Sequence, residues 1–193
     1  MDAVAFELAA LEAWPSKVAW DAAAADLVAS ALDRWHLTAG EVYTGGEAGA
    51  VLRVTTPEGD PAVLKVGFPH VEAVGEAIAL ETWGPELAPR VRRQEPWTWW
   101  MLLDRVEPGT PLSRSGLGAE AALEAGAGLL AQLAATPPPP EVPTLREIVS
   151  QYLDSARRRA PRREAQLGSA ERLVEAGLAE AEALLGEDST HTL

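Results

Sequence analysis

A chain of 193 residues can remove roughly 70% of its unfolded surface from water, as one domain or as two small lobes. With 29 acidic against 16 basic side chains, its net charge of −13 excludes the basic footprint of a nucleic-acid surface. It contains no cysteine, which excludes disulfides and thiolate metal sites, and its three histidines are too scattered to suggest a zinc centre.

The N-terminus carries Asp2, Glu7 and Glu12 where a secretory signal would need basic residues and an apolar stretch. The longest uncharged run of helical character, Ala125 to Ala135, is too short to span a bilayer. The expectation is a soluble, cytoplasmic protein that engages neither membrane nor nucleic acid.

Residues 3–13 and 16–35 read as two alanine-rich helices. In the second, Val18, Ala22, Ala25, Val28 and Leu32 recur at helical steps, Ser16 stands at the N-cap, and Gly40 ends the pattern. Trp14, Trp20 and Trp35 are expected to pack this pair onto the body.

From residue 41 the period shortens. Glu41–Thr44, Ala50–Thr56 and Ala62–Val66 are strand-like, and Pro57-Glu58-Gly59-Asp60 reads as a hairpin turn between the last two. A helix is expected from about His70 to Trp83, followed by strands at Arg90–Gln94 and Trp97–Leu103. The last is apolar on both alternating faces, as in a strand covered on both sides. Five strands with a helix inserted after the third make an α+β lobe.

Beyond Val106 the pattern is helical: about 117–135, then a stiff spacer at Pro137–Pro140, then a helix from Thr144 to about Arg159. Thr144 and Glu147 have capping-box spacing. A last helix runs over about 169–185, and residues 186–193 read as the start of a strand. The expected organisation is N-terminal helices over 1–40, a lobe over 41–106, and a linker with helices over 107–193.

The residue that stands out is Lys65, the one charge in Pro61-Ala62-Val63-Leu64-Lys65-Val66. A lysine in a buried strand is costly unless an anion meets it. Upstream, Thr44-Gly45-Gly46-Glu47-Ala48-Gly49 is a turn whose backbone N–H groups can converge on a phosphate. It lacks the terminal Gly-Lys-Ser/Thr of a P-loop, and no helix follows it as a dinucleotide fingerprint requires. A loop, a strand, a turn and a lysine-bearing strand is instead the layout by which kinases hold nucleotide phosphates. Downstream, Glu72 and Glu76 fall on one stripe of the expected helix, and either can reach Lys65. The arginines at 157–159, 162 and 163 read as a solvated helix end, and His191 is assigned no role.

Three segments carry a family resemblance: 44–52, 61–70 and Glu76-Ala77-Ile78-Ala79-Leu80. Together they resemble the aminoglycoside phosphotransferases, in the branch of streptomycin 6-kinases and hydroxyurea-resistance kinases. The resemblance implies a protein-kinase-like fold and the use of ATP with magnesium on an aminoglycoside-like acceptor. Under it, Gly45, Gly46 and Gly49 match the phosphate-covering loop, Lys65 the phosphate-contacting lysine, and Glu76, rather than Glu72, its helix partner. Leu103-Asp104-Arg105-Val106 falls at the hinge that holds the adenine, which makes Asp104 and Val106 candidate cofactor contacts.

The family's catalytic segment, His-Gly-Asp-x-His-x-x-Asn, and its later metal-binding Asp do not occur in these residues. Their place would begin just after Leu193. The expectation is an N-terminal lobe with linker helices, no catalytic or metal-binding residue of its own, and an apolar side covered by a homodimer or a partner chain. The rival reading is a non-catalytic nucleotide-binding or protein-interaction module of kinase-like fold.

Overall fold

A computed structural model of the chain describes residues 11, 13–14, 16–44, 46–144, 146–154, 156–157 and 171–186. The chain divides into two compact units, Met1–Val142 and Pro143–Leu193.

Helix α1, Lys17–Arg34, opens at Ser16, whose extended backbone leaves its hydroxyl free to accept the Ala19 N–H at 3.1 Å. It closes at Arg34, one residue from the expected end. His36 turns left-handed at φ 53°, and the Leu37 N–H returns to the Leu32 carbonyl at 2.8 Å. Gly40 therefore does not end the helix. It lies inside strand β1, Thr38–Tyr43, where a Cβ would stand 3.1 Å from the Arg53 carbonyl oxygen. The expected helix over 3–13 lies almost wholly outside the described residues.

Strands β2 (Gly49–Thr55) and β3 (Pro61–Gly67) form the expected hairpin, with Gly59 at φ 93° in its turn. With β4 (Val91–Glu95) and β5 (Trp100–Asp104) they build a five-stranded antiparallel sheet in the order β1-β2-β3-β5-β4. This is the α+β lobe expected of a kinase-like fold, with helix α2, Glu76–Trp83, inserted between β3 and β4.

Strand alternation sends the two faces to different layers. Leu52, Val54, Ala62, Leu64, Val66, Trp100 and Leu102 form the main core with Trp20, Ala31 and Trp35. Trp35 meets Trp100 edge-on, with ring centroids 5.9 Å apart. On the opposite face Val63, Met101 and Leu103 pack with Ala77 and Leu80 of α2.

Two sequence expectations fail for the same reason, a backbone in a left-handed conformation. The strand expected at Trp97 begins only at Trp100, because residues 96–99 turn and Trp99 sits at φ 56°. Four consecutive β5 residues, Trp100 to Leu103, are nevertheless buried, so the strand is covered on both faces. The single helix expected over 70–83 is broken. A short 3-10 turn spans Val71–Ala73, Gly75 adopts φ 80°, and α2 starts only at Glu76. The common helical stripe for Glu72 and Glu76 does not exist.

Asp104 closes β5 against β4. Its carboxylate accepts hydrogen bonds from Arg92 and, at 3.1 Å, from Arg90. Chiefly through Arg92, its carboxyl is held below the ordinary carboxylate range. Because the folded value is the depressed one, this stabilisation is present above the unfolded value of about 4 and is lost as pH falls through the folded value. Urea midpoints of the protein and of Asp104→Asn are expected to differ most above about pH 5 and to converge in acid. The side chain is one-third exposed, so screening keeps the difference small.

Helix α3, Ala119–Ala135, follows, and the Trp83 indole N–H donates to the Leu133 carbonyl at 3.3 Å. Residues 137–139 have no regular structure, and the Val142 N–H then closes a turn on the Pro139 carbonyl at 3.1 Å.

In the second unit the capping box is formed. The Thr144 N–H donates to Glu147 Oε2 at 2.7 Å, and the Glu147 N–H returns to Thr144 Oγ1 at 3.2 Å. Helix α4 occupies 146–154 and continues at 156–157, and α5 spans Glu171–Gly186. Arg157 pairs with Glu182, while Arg158, Arg159, Arg162, Arg163, His191 and the expected terminal strand lie outside the described residues. Among the described residues no helix is long and apolar enough to cross a membrane.

Candidate functional site

Lys65 stands opposite Val51 of β2 and Met101 of β5, on the sheet face that α2 covers. The neighbouring Leu64 and Val66 are fully buried on the other face, and this fixes the direction of the lysine by the strand's period of two. Its ammonium donates to both carboxylate oxygens of Glu76, at 2.5 Å and 2.6 Å. Both side chains keep about a quarter of their surface open, 25% and 29%. Glu76 is the first residue of α2, where the helix dipole favours an acid. Glu72 is half exposed and lies instead with His70, its Oε2 4.0 Å from Nε2. Left open by residue spacing, the choice between the two glutamates is made by the break at Gly75.

The glycine loop joins β1 to β2, its Ala48 lines the same cleft as Lys65, and its glycines differ in what they do. Gly46 is exposed, and a Cβ there would meet nothing closer than 4.0 Å. At Gly49 a Cβ would lie 2.8 Å from the Val66 carbonyl oxygen, so this glycine is required by the β2–β3 pairing itself. Gly45 lies outside the described residues. The loop is tied down at Ala48, whose carbonyl accepts the Phe68 N–H at 2.8 Å.

Ala48, Lys65, Phe68, His70, Glu76 and Trp99 line one open cleft, with Gln94, Glu95 and Met101 along its wall. Asp104 and Val106 are not part of it. Asp104 pairs with Ala62, three residues along β3 from Lys65, a separation of roughly 10 Å at strand rise. Its carboxylate is committed to Arg90 and Arg92, and Val106 is exposed beyond the strand. His70 is the cleft residue that sequence reasoning passed over. Its signal was local, a histidine three residues past the lysine strand in Gly67-Phe68-Pro69-His70.

Residues 34–192 match the aminoglycoside/hydroxyurea antibiotic resistance kinase family. The chain belongs to that family. It is 36% identical over 140 residues to a streptomycin 6-kinase of Streptomyces glaucescens, covering 72% of this chain and 45% of that protein. A streptomycin 6-kinase of Streptomyces griseus is 32% identical over 136 residues, which cover 70% and 44%. A hydroxyurea phosphotransferase of Kitasatospora aureofaciens is 34% identical over 129 residues, which cover 65% and 37%. The chain thus spans less than half the length of these family members. No solved structure matches it significantly.

Membership in a kinase family gives the Lys65–Glu76 pair a chemical context. An ammonium held by a carboxylate, under a loop with an open glycine, can receive an anion without a large rearrangement. Among the described residues there is no cluster of three or more His, Asp or Glu able to hold a metal ion.

Proposed function

We propose that the cleft binds the phosphates of ATP, and that the chain is the nucleotide-holding part of a kinase that phosphorylates a hydroxyl of an aminoglycoside-like compound. The observation that carries this is the Lys65–Glu76 pair on the face below the glycine loop. Catalysis of phosphoryl transfer is mostly positioning and charge neutralisation. Lys65, directed by Glu76, neutralises charge on the phosphates. The loop around Gly46 lets the backbone approach them, and Val51, opposite Lys65 on the same face, offers an apolar surface to the base. Asp104 serves as the clamp that keeps β5 and β4 together at the base end, and Val106 follows as hinge backbone. The sequence contains no His-Gly-Asp triplet, so no chemical step is assigned to these side chains. A reaction that consumes ATP supports a cytoplasmic location. Calorimetric titration of ATP into the protein and into Lys65→Ala tests the reading, and equal affinities would sink it.

A second observation favours an interaction surface. In α3 every residue except Glu120, Glu124 and Gln132 is alanine, glycine or leucine, yet Leu123 and Leu130 are 74% and 67% exposed. A helix apolar on all sides belongs in an interior. We propose that this helix seats a polypeptide corresponding to the part of the longer kinases outside the matched region. Sedimentation of the chain mixed with that part of the Streptomyces glaucescens kinase is expected to show a one-to-one complex, lost in Leu123→Asp/Leu130→Asp. A homodimer lost in the same variant would assign the face to a second copy instead.

A further inference from the structure

The Lys65–Glu76 pair leaves His70 of the same cleft without a function, although the fold holds it with unusual care. A carbonyl oxygen can only accept, so the 2.7 Å contact between Nδ1 and the Phe68 carbonyl puts a proton on Nδ1. The ring stacks with two others, 6.2 Å from Phe68 at 10° and 6.3 Å from Trp99 at 27°. Nε2 is the one hydrogen-bonding edge left, and Glu72, at 4.0 Å, is beyond hydrogen-bond length from it. Phe68 joins this ring to the glycine loop. Its carbonyl fixes His70, and its N–H holds the Ala48 carbonyl. The imidazole, the loop and Lys65 therefore border one opening from three sides.

We propose that His70 is a second phosphate contact of this site and binds as the imidazolium, so that nucleotide binding takes up a proton. The inference rests on the nucleotide reading above. A neutral ring with its proton on Nδ1 presents a lone pair at Nε2, which repels a phosphate oxygen. With a proton taken from solvent, Nε2 becomes a charged donor. The charged groups around the ring are Glu72 on its own segment, Lys65 from β3, Glu76 from α2 and Glu95 from β4. Glu76 is engaged by Lys65 and Glu95 by Arg34 at 3.0 Å, so Glu72 is the acid left to face Nε2. Being half exposed, Glu72 can yield its place to a phosphate.

His70→Asn isolates the claim, because its side-chain amide can still donate to the Phe68 carbonyl while nothing replaces Nε2. Titrating ATP at pH 7.5 in two buffers of different ionisation enthalpy reads both affinity and proton uptake. His70→Asn is expected to bind ATP about ten-fold more weakly, as for the loss of one charged hydrogen bond. It should also take up fewer protons than the wild-type protein, with its melting temperature and its binding of adenosine unchanged. His70→Lys, with a fixed charge, should restore affinity without the uptake. Equal affinity and uptake in His70→Asn would overturn the proposal, as would parallel losses for ATP and adenosine, which would mean that His70 only holds the loop. If Lys65→Ala weakens ATP while His70→Asn does not, the nucleotide reading stands and this inference alone fails. If neither variant changes ATP binding, both fail.

Discussion

Lys65→Ala is expected to bind ATP roughly 10- to 150-fold more weakly than the wild-type protein, the range set by about 1.5–3 kcal/mol for a hydrogen bond to a charged group. Adenosine, which has no phosphates, should bind both proteins equally. The pair keeps about a quarter of its surface open to water, and Glu76 sits at a helix N-terminus, so solvent and the helix dipole moderate what the loss of the ammonium costs the fold. Lys65→Met, which keeps the stem and its packing, should therefore lose affinity with little change in melting temperature. Glu76→Gln should show a smaller loss than Lys65→Ala, because the ammonium remains and only its direction is relaxed. A Lys65 variant that kept the affinity for ATP while losing stability would assign the pair to the fold rather than to the ligand.

The largest effect on stability is expected at Leu64. Its side chain is fully buried in β3, the central strand of the sheet, between β2 and β5, and within the core that α1 covers. Leu64→Ala removes buried methyl groups and leaves a void the surrounding sheet and tryptophans can only partly fill, at a cost of about 2–5 kcal/mol. That is a large share of the roughly 5–15 kcal/mol that holds a domain together. Chemical denaturation should show the midpoint falling sharply for Leu64→Ala. Leu123→Ala, on the exposed side of α3, should shift it by no more than about 0.5 kcal/mol. Equal midpoints for Leu64→Ala and the wild-type protein would contradict the placement of β3 at the centre.

The two variants are neighbours in sequence and separate cleanly in what they report. Leu64 and Lys65 point to opposite faces of one strand, the first into the core beneath α1 and the second toward the cleft. Position in the pleat, one residue either way, decides whether a substitution costs stability or binding.

Much of this was legible in the residues themselves. A lone charge in an apolar run marked Lys65 because burying an ammonium without an anion is costly. Period-two patterning and turn residues located β2 and β3, and Ser16 and Thr144–Glu147 announced their helix starts through side-chain chemistry that acts over three residues. Such signals are local, so a sequence displays them. Where the reading went astray, the deciding event was a backbone conformation that composition does not advertise. Trp97-Thr98-Trp99 has strong strand preference, yet it turns, because Trp99 is held left-handed while its carbonyl accepts the Gly67 N–H at 2.8 Å.

Glu72 and Glu76 show the division most sharply. On the uninterrupted helix that their spacing suggests, both stand on one side, and the family resemblance favours Glu76 without supplying a physical reason. Only the tertiary structure supplies one. Gly75 in its left-handed conformation breaks that helix, leaves Glu72 beside His70 and places Glu76 at the head of α2, where its carboxylate closes on Lys65. The sequence by itself determined that a buried-strand lysine needs an anion, since the cost of an unpaired charge belongs to the residue. Which anion it meets depends on the path of the chain between them, and that path is set by long-range packing.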